Sequence, residues 1–547
     1  MARKKLKALG LRLDECLQDT THTLISFPPV NKATGPLLSL PEELIAAIAS
    51  EVKVDDLLNF ALTCQRVHNL VKGRLLLNAV YVAEYSLQHD RLPLTTPELL
   101  RLALSGSDQA WHIRAFEHWG LRPEWKKWKT YPFDHYNDDP NWPDAFEDHT
   151  TLNQSFFTDH EYESFERVMR ERLHLSDDET AEWMGKTREG SDEPLKGMLM
   201  ALAPRLDRAN FIAYDSWQSA QFHNTHPLTF LCRAIMRIAT TPTALWPPGF
   251  LSLRKISVCT TSTLRHGHDA YYANPGEVAP LFRLPNIKIL NLSLVGFHDS
   301  DEHEVGLEPH SSSVEELAFY CCQLTSAKQC KLIRACKRLR RLVCVASQIS
   351  GHLEDITRLL AVEFADSLED CIMRLSSTET LPFHDLVAKF SKLRLLAHIT
   401  IEDLPLVDPT DPDSELRPLA EYLPTSIESI HFTDSPASHD STAAQAFAFL
   451  RAISDLAGDK RCPALREVCI WRVVFRNRQD VYEGLQKMLR AIEAKGVRLH
   501  IFGAERGKEE ERAWLGRASH EAMHRGYENG RLTAVESDPR PWEERDR

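Results

Sequence analysis

Positive charge is scarce in this chain: 65 Lys and Arg stand against 78 Asp and Glu, a formal net charge of -13. A general nucleic-acid binder needs a basic footprint, so that class of partner is not expected. No apolar run reaches about 18 residues, so no membrane span is expected either. The basic start at Arg3, Lys4, Lys5 and Lys7 lacks an apolar core with a small-residue cleavage site, and Asp14 and Glu15 oppose a transit peptide. It reads as a solvated basic tail, with a weak nuclear signal as the alternative.

None of the twelve cysteines is spaced as C-x-x-C. Without a secretion signal they are expected as reduced thiols, which places the chain in the cytoplasm, the nucleus or both. Cys259, Cys344 and Cys469 lie in apolar runs and are expected to behave as small buried hydrophobes.

Catalytic signatures are also sparse. There is no G-x-S-x-G, no P-loop and no G-x-G-x-x-G. One literal H-E-x-x-H occurs at His520-Glu521-Ala522-Met523-His524. On a helix it would set two imidazoles on one face for zinc, with Glu521 as general base. It falls in a polar tail without the apolar packing that fixes ligands, and no spaced Gly and His follow as a third ligand. His266, His268, His303 and His310 read as solvated loop residues. No catalytic residue, metal or cofactor is therefore expected.

What is present is an ordinary folded composition, 43% hydrophobic and 26% charged, with length enough for several cores or one elongated one. Near the start lies LPEELIAAIASEVKVDDLLNFALTCQRVHNL, residues 40–70. Ser39 and Glu42 have the spacing of a capping box, and Pro41 suits a first helical turn. Leu44, Ile45 and Ile48 then form an apolar stripe. Asp55 or Asp56 opens a second helix carrying Leu57, Leu58, Ala61 and Leu62. Cys64, Val67, Leu70 and Val71 mark a third, with Gly73 as a stop. Three short helices in roughly forty residues cannot bury a self-sufficient core, so they lean on a partner or on the next domain.

This segment resembles an F-box. The matching residues are Leu40-Pro41, Glu43-Leu44, Ile48, Asp56-Leu57-Leu58 and Thr63-Cys64-Gln65-Arg66; Val67-His68 stand where many F-boxes carry a Trp. The resemblance implies docking on a Skp-type linker protein and, through it, on a cullin. Leu40, Pro41, Glu43, Leu44, Ile48, Leu57, Leu58, Leu62, Cys64 and Val67 would form that interface and the packing behind it.

A second pattern follows the leucine-rich-repeat frame, L-x-x-L-x-L-x-x-N/C-x-L. Its best copy is Val314, Leu317, Phe319, Cys322 and Leu324; others begin at Leu206, Leu253, Ile287, Leu339, Leu368, Leu393, Ile427 and Leu465. Helical stretches such as SAKQCKLIRACKR lie between them. One strand and one helix per unit, with parallel strands on a concave face and helices on the convex face, is the expected α/β solenoid. A doubly wound α/β domain is the alternative; the short strands with polar alternates and the lack of a Gly-rich strand-to-helix turn oppose it.

The concave row would hold Ile289, Asn291, Glu316, Ala318, Tyr320, Arg341, Val343, Ser429, His431, Glu467 and Trp471, mostly solvated or lightly covered. Tyr320, Arg341, His431 and Trp471 are the candidate target-binding residues, chosen for side-chain types that dominate interfaces. The expected layout is a tail over 1–36, the F-box over 37–77, a helical linker with an acidic, Trp-rich insertion over 78–194, repeats over 195–503 and a charged, partly disordered tail over 504–547. Trp111, Trp119, Trp125, Trp128 and Trp142 with Lys126, Lys127 and Lys129 read as packing between head and repeats; the neighbouring carboxylates oppose a base-stacking patch.

The order of elements resembles the F-box/leucine-rich-repeat proteins abundant in filamentous fungi. That resemblance implies a non-catalytic substrate adaptor of an SCF-type ubiquitin ligase. The alternative is an F-box scaffold acting with the linker protein outside a ligase.

Overall fold

The computed structural model describes residues 36–128, 153–213, 228–260, 274–293, 295–296, 306–320, 322–350, 353–375, 387–400, 419–433, 451–470 and 490–501. At the N-terminal end, a short 3-10 turn leads into α1 (Glu42–Glu51), α2 (Val54–Ala61) and α3 (Gln65–Tyr85). Ile45, Ala49, Leu57, Ala61, Val67 and Val71 meet in a small core of their own. Spacings of three and four residues put each helix's apolar members on one face.

The helix boundaries differ from the sequence expectation in three places. Pro41, not Ser39, is the N-cap of α1, and no side chain closes a capping box there. With Pro41 as the cap, Glu42 is the first helical residue and Leu44 takes the third position, so no carboxylate is placed to reach back, and proline offers neither a side-chain acceptor nor an N–H. The second helix starts at Val54 with Lys53 as its cap, leaving Asp55 and Asp56 in the first turn. Gly73 does not stop the third helix, which runs 21 residues to Tyr85. A single mid-helix glycine costs only about 1 kcal/mol, which flanking packing outweighs.

Beyond the head lies one open parallel sheet of thirteen strands in the order β1 to β6 then β8 to β13, with β7 paired to β8 beside that path. The strands are β1 (Leu87–His89), β2 (Ala115–Trp119), β3 (Arg208–Ala213), β4 (Lys255–Thr260), β5 (Ile289–Ser293), β6 (Glu316–Tyr320), β7 (Gln323–Thr325), β8 (Arg341–Ser350), β9 (Asp370–Leu375), β10 (Leu395–Thr400), β11 (Ser429–Thr433), β12 (Glu467–Ile470) and β13 (Arg498–Ile501). All nine frames found in the sequence begin two residues ahead of a strand, from Leu206 before β3 to Leu465 before β12. The sheet also reaches back into 78–194, which had read as helical: β1 and β2 carry no leucine frame to announce them.

Register explains the core. Ile256, Leu290, Leu317, Leu342, Cys371, Leu396, Ile430 and Val468 stand side by side across eight strands. All are buried in the main cluster, with helix residues packed over them. The helices form for local reasons: Thr158 with Glu161 and Ser176 with Glu179 close capping boxes on α4 (Asp159–Glu171) and α5 (Asp177–Glu189). Ahead of most strands one carbonyl accepts two N–H groups; Glu315 O takes Arg340 N at 2.7 Å and Arg341 N at 3.0 Å. The same arrangement repeats at Arg340, Glu369, Arg394 and Glu428.

Cys232, Cys322, Cys330, Cys336, Cys344, Cys371, Cys462 and Cys469 are buried free thiols. Burial pushes Cys371 and Cys336 up to about 12 and Cys330 and Cys462 up to about 11, so these thiols stay protonated and inert at neutral pH.

Candidate docking site and the joint behind it

The ten head residues singled out by the sequence divide into two groups. Leu57 and Val67 are buried in the head's core, and Leu40 and Cys64 pack against it. Cys64 also caps α3, its Sγ accepting from Val67 N at 3.5 Å. Pro41, Glu43, Leu44, Ile48, Leu58 and Leu62 face outward. Leu44, Ile48, Leu58 and Leu62 are 40 to 55% exposed, a concentration of bare aliphatic surface on two short helices. Isolated exposed leucines are ordinary, whereas a group of them marks an interaction surface. The head also carries an open groove of about 510 Å³, lined by Glu51, Val52, Lys53, Asp56, Asn59, Phe60 and Thr63.

Sequence reasoning missed Arg74. Its guanidinium donates to Ala49 O and, at 3.2 Å, to Val52 O, carbonyls at the C-terminal end of α1 where the helix's own N–H donors run out. A cation one helix away cannot be assigned to that end without the fold.

The head is clasped to the sheet. Asp55 on α2 accepts from Trp111 Nε1 at 3.3 Å and pairs with Arg205, whose guanidinium lies 5.5 Å from the Trp111 ring centre. Arg74 reaches Asp108 at 4.0 Å, and Tyr81 on α3 meets His112 at 5.8 Å. The other described tryptophans serve packing as well. Trp119 and Trp128 are buried, and the Trp125 and Trp128 indoles donate to Arg188 O at 2.7 Å and Gly190 O at 2.6 Å. Gly190 ends α5 with φ 94°, and a Cβ there would sit 2.4 Å from Trp125 N, so both backbone and neighbour demand glycine. Lys129 and Trp142 lie outside the described residues.

Behind the clasp is a buried charge joint that no motif announced. Lys196, on α6 (Glu193–Leu202), places Nζ 2.8 Å from Asp90 and 3.0 Å from Asp192, and donates to Gly120 O at 2.7 Å. Arg122 pairs with Asp192 at 3.2 Å and donates to Asp90 O at 2.9 Å. Asp90 itself accepts from Trp119 N at 2.5 Å. Every one of these side chains is at most 2% exposed. Burial raises the Asp90 carboxyl, and the Lys196 and Arg122 charges oppose that rise.

Next to it Glu193 accepts from Phe230 N at 3.1 Å, capping α7 (Thr229–Ile238) from outside its own segment; burial lifts its carboxyl to about 7. Burial also holds His118, stacked on Phe211 at 4.5 Å, well below the usual imidazole range. With charges matched and no nucleophile among them, the joint welds the ends of β1 and β2 to α6. Breaking one partner of such a pair costs about 3–5 kcal/mol, although forming it adds little over an apolar contact.

On the opposite face of the sheet Tyr320 and His431 are buried rather than solvated, at 5% and 2% exposed. Tyr320 packs with Ala318, Val343 and Ile372. His431 Nε2 lies 3.0 Å from Ser429 Oγ. Arg341 is half-buried, 4.0 Å from Asp370. The structure therefore does not bring these candidates together into one open patch, and Trp471, His520, Glu521 and His524 lie outside the described residues. Among the described residues, no group of three or more His, Cys, Asp or Glu is placed to hold a metal ion, and no helix is long and apolar enough to cross a membrane.

Comparison with known families agrees with the head's geometry: residues 37–78 match the F-box domain. No curated protein matches the chain.

Proposed function

From the F-box at residues 37–78 we infer that this protein is a substrate-recognition adaptor of an SCF-type ubiquitin ligase. F-box proteins are typically non-catalytic adaptors. The head docks a Skp-type linker protein and thereby a cullin; the sheet region, as a leucine-rich-repeat solenoid of the fungal type, holds a target protein near the ubiquitin-charged enzyme. Rate is gained by proximity, with no chemical group supplied by this chain. The working compartment is the cytoplasm, the nucleus or both.

The observation that carries the reading is the exposure of four aliphatic side chains, Leu44, Ile48, Leu58 and Leu62, inside the matched segment. The repeat reading is supported by strands that follow one another in chain order along the sheet, nine of them opening two residues after a leucine frame begins. The Asp55 clasp supports an adaptor that sets the direction in which a target is held.

The test is capture of a Skp-type linker by the purified chain, compared with Leu44→Glu/Leu58→Glu. Both side chains are exposed, so the doubly changed protein keeps its fold. Linker binding by wild type and its loss in the variant are expected; equal binding by both removes the docking reading. Cullin in the captured complex distinguishes the ligase from a scaffold that holds the linker alone.

A further inference from the structure

Ahead of β5, β6, β8, β9 and β10 the last residue before each strand is Lys288, Glu315, Arg340, Glu369 and Arg394. These strands are consecutive neighbours in the sheet, so the five side chains alternate in sign along one rim. They are joined as a chain. Lys288 Nζ lies 2.6 Å from Glu315, and Arg340 lies 3.7 Å from Glu315 and 2.8 Å from Glu369. Arg394 then closes on the other Glu369 oxygen at 3.1 Å.

The two signs are not equally placed. Glu315 and Glu369 are tucked in, with side chains 26% and 18% exposed, whereas Lys288, Arg340 and Arg394 are 44 to 51% exposed. The carboxylates hold the long cationic side chains in register, and the cations form the outer surface. Lys337, Arg338 and Lys392, in the turns leading to β8 and β10, are exposed and make no ion pair among the described residues. The Arg338 charge acts on both Glu315 and Glu369. Counting the exposed Asp366 and, at the strand starts, Glu316, Arg341 and Asp370 as well, seven cations face five carboxylates, a local excess of positive charge on a chain of net charge -13.

We propose that this rim, ahead of β5 to β10, binds an extended acidic segment of a protein partner. Lys288, Arg340 and Arg394 recur at every second strand, a pitch of roughly 10 Å at about 4.8 Å between strands. A peptide in the extended polyproline II conformation advances about 3.1 Å per residue with three residues per turn, so carboxylates three residues apart share one face and match that pitch. Guanidinium groups already oriented by a carboxylate meet a second one at less entropic cost than free side chains do. A continuous phosphate backbone fits less well, because Glu315 and Glu369 interrupt the positive track and the rest of the chain repels a polyanion.

The experiment is fluorescence anisotropy of a labelled (Glu-Ser-Ser) repeat peptide at low salt. Its (Gln-Ser-Ser) counterpart and a single-stranded RNA of equal length are measured beside it. Wild type is expected to bind the Glu peptide, to ignore the Gln peptide and to release the former as salt rises. Lys337→Glu/Arg338→Glu/Lys392→Glu is expected to weaken binding by about tenfold or more with an unchanged melting curve, since exposed rim charges tune association without supporting the fold. Should that variant melt early, Lys392→Gln alone decides, with a loss of about threefold expected from one exposed charge. No binding by wild type, equal binding by these variants, or tighter binding of RNA than of peptide overturns the proposal. No linker protein enters the assay, so failure here leaves the adaptor reading standing.

Discussion

The head and the sheet treat apolar side chains in opposite ways. In the sheet the frame residues from Leu206 to Leu465 are all buried, and each strand's core is completed by its neighbour and a helix. In the head, six residues form a separate small core while Leu44, Ile48, Leu58 and Leu62 remain outside it. A sheet that buries its leucines is finished by its own chain. A head that leaves Leu44, Ile48, Leu58 and Leu62 exposed is not covered there by the described residues of its own chain, and the proposed docking role uses that uncovered surface.

The sharpest way to test the contrast is a matched pair of cavities. Ile45→Ala and Leu290→Ala each remove a fully buried side chain, and each is expected to cost about 2–5 kcal/mol locally. Because the head's core is separate from the main one, Ile45→Ala is expected to melt α1 to α3 and leave the sheet's denaturant midpoint in place. Leu290→Ala is expected to lower that midpoint. Site-resolved hydrogen exchange distinguishes the two; a single shared transition for both variants would show that head and sheet unfold as one unit.

A smaller effect is expected at Glu193, and it depends on pH. Its carboxyl titrates near 7 in the folded protein against 4.5 as an ordinary glutamate, through burial first, with Asp192 adding to the rise and Lys196 opposing it. A raised folded value means that folding prefers the neutral acid. The stability it contributes is present below 4.5 and is lost as pH rises through about 7. Glu193→Gln keeps a neutral acceptor for Phe230 N, so it is expected to match wild type at acid pH. At pH values above 7 it is expected to exceed wild type by about 1–3 kcal/mol. Denaturant midpoints across that range measure it; equal pH slopes for both proteins would reject the cap's titration.

Which parts could be read from the sequence follows from the range of the interactions. The helices of the head and the frames ahead of each strand are set by residues within about four positions of one another, so periodicity shows them. The joint of Asp90, Arg122, Asp192 and Lys196 gathers three distant segments with no repeating pattern, and nothing local marks Arg74 as the cap of α1. Ser39 and Glu42 have the spacing of a capping box without its geometry, because Pro41 between them moves the start of the helix. Strand alternation puts Tyr320 and His431 on the concave row, and their side-chain types make them interface candidates; alternation assigns a face of the sheet, and how much neighbouring strands cover that face depends on side chains far away in sequence.

The smallest expected effect bears most directly on how the two regions are joined. Asp55 pairs with Arg205 and Trp111, but its side chain is 44% exposed and that of Arg205 is 36% exposed. Pairs this open contribute less than about 1 kcal/mol, so Asp55→Ala is expected to leave the global melting curve nearly unchanged. What changes is the coupling. With Asp55 gone, α3, its Tyr81 contact with His112 and the long Arg74–Asp108 pair remain as the link, and a helix so held bends more easily than one also braced through α2. Hydrogen exchange is expected to quicken around residues 53–61 and 105–113, with Trp111 fluorescence shifting red as its indole loses Asp55 and meets water. Asp56→Ala, one residue away and lining the groove instead, is the control and is expected to do neither. Identical exchange in Asp55→Ala and wild type would mean that α3 alone fixes the direction of the head.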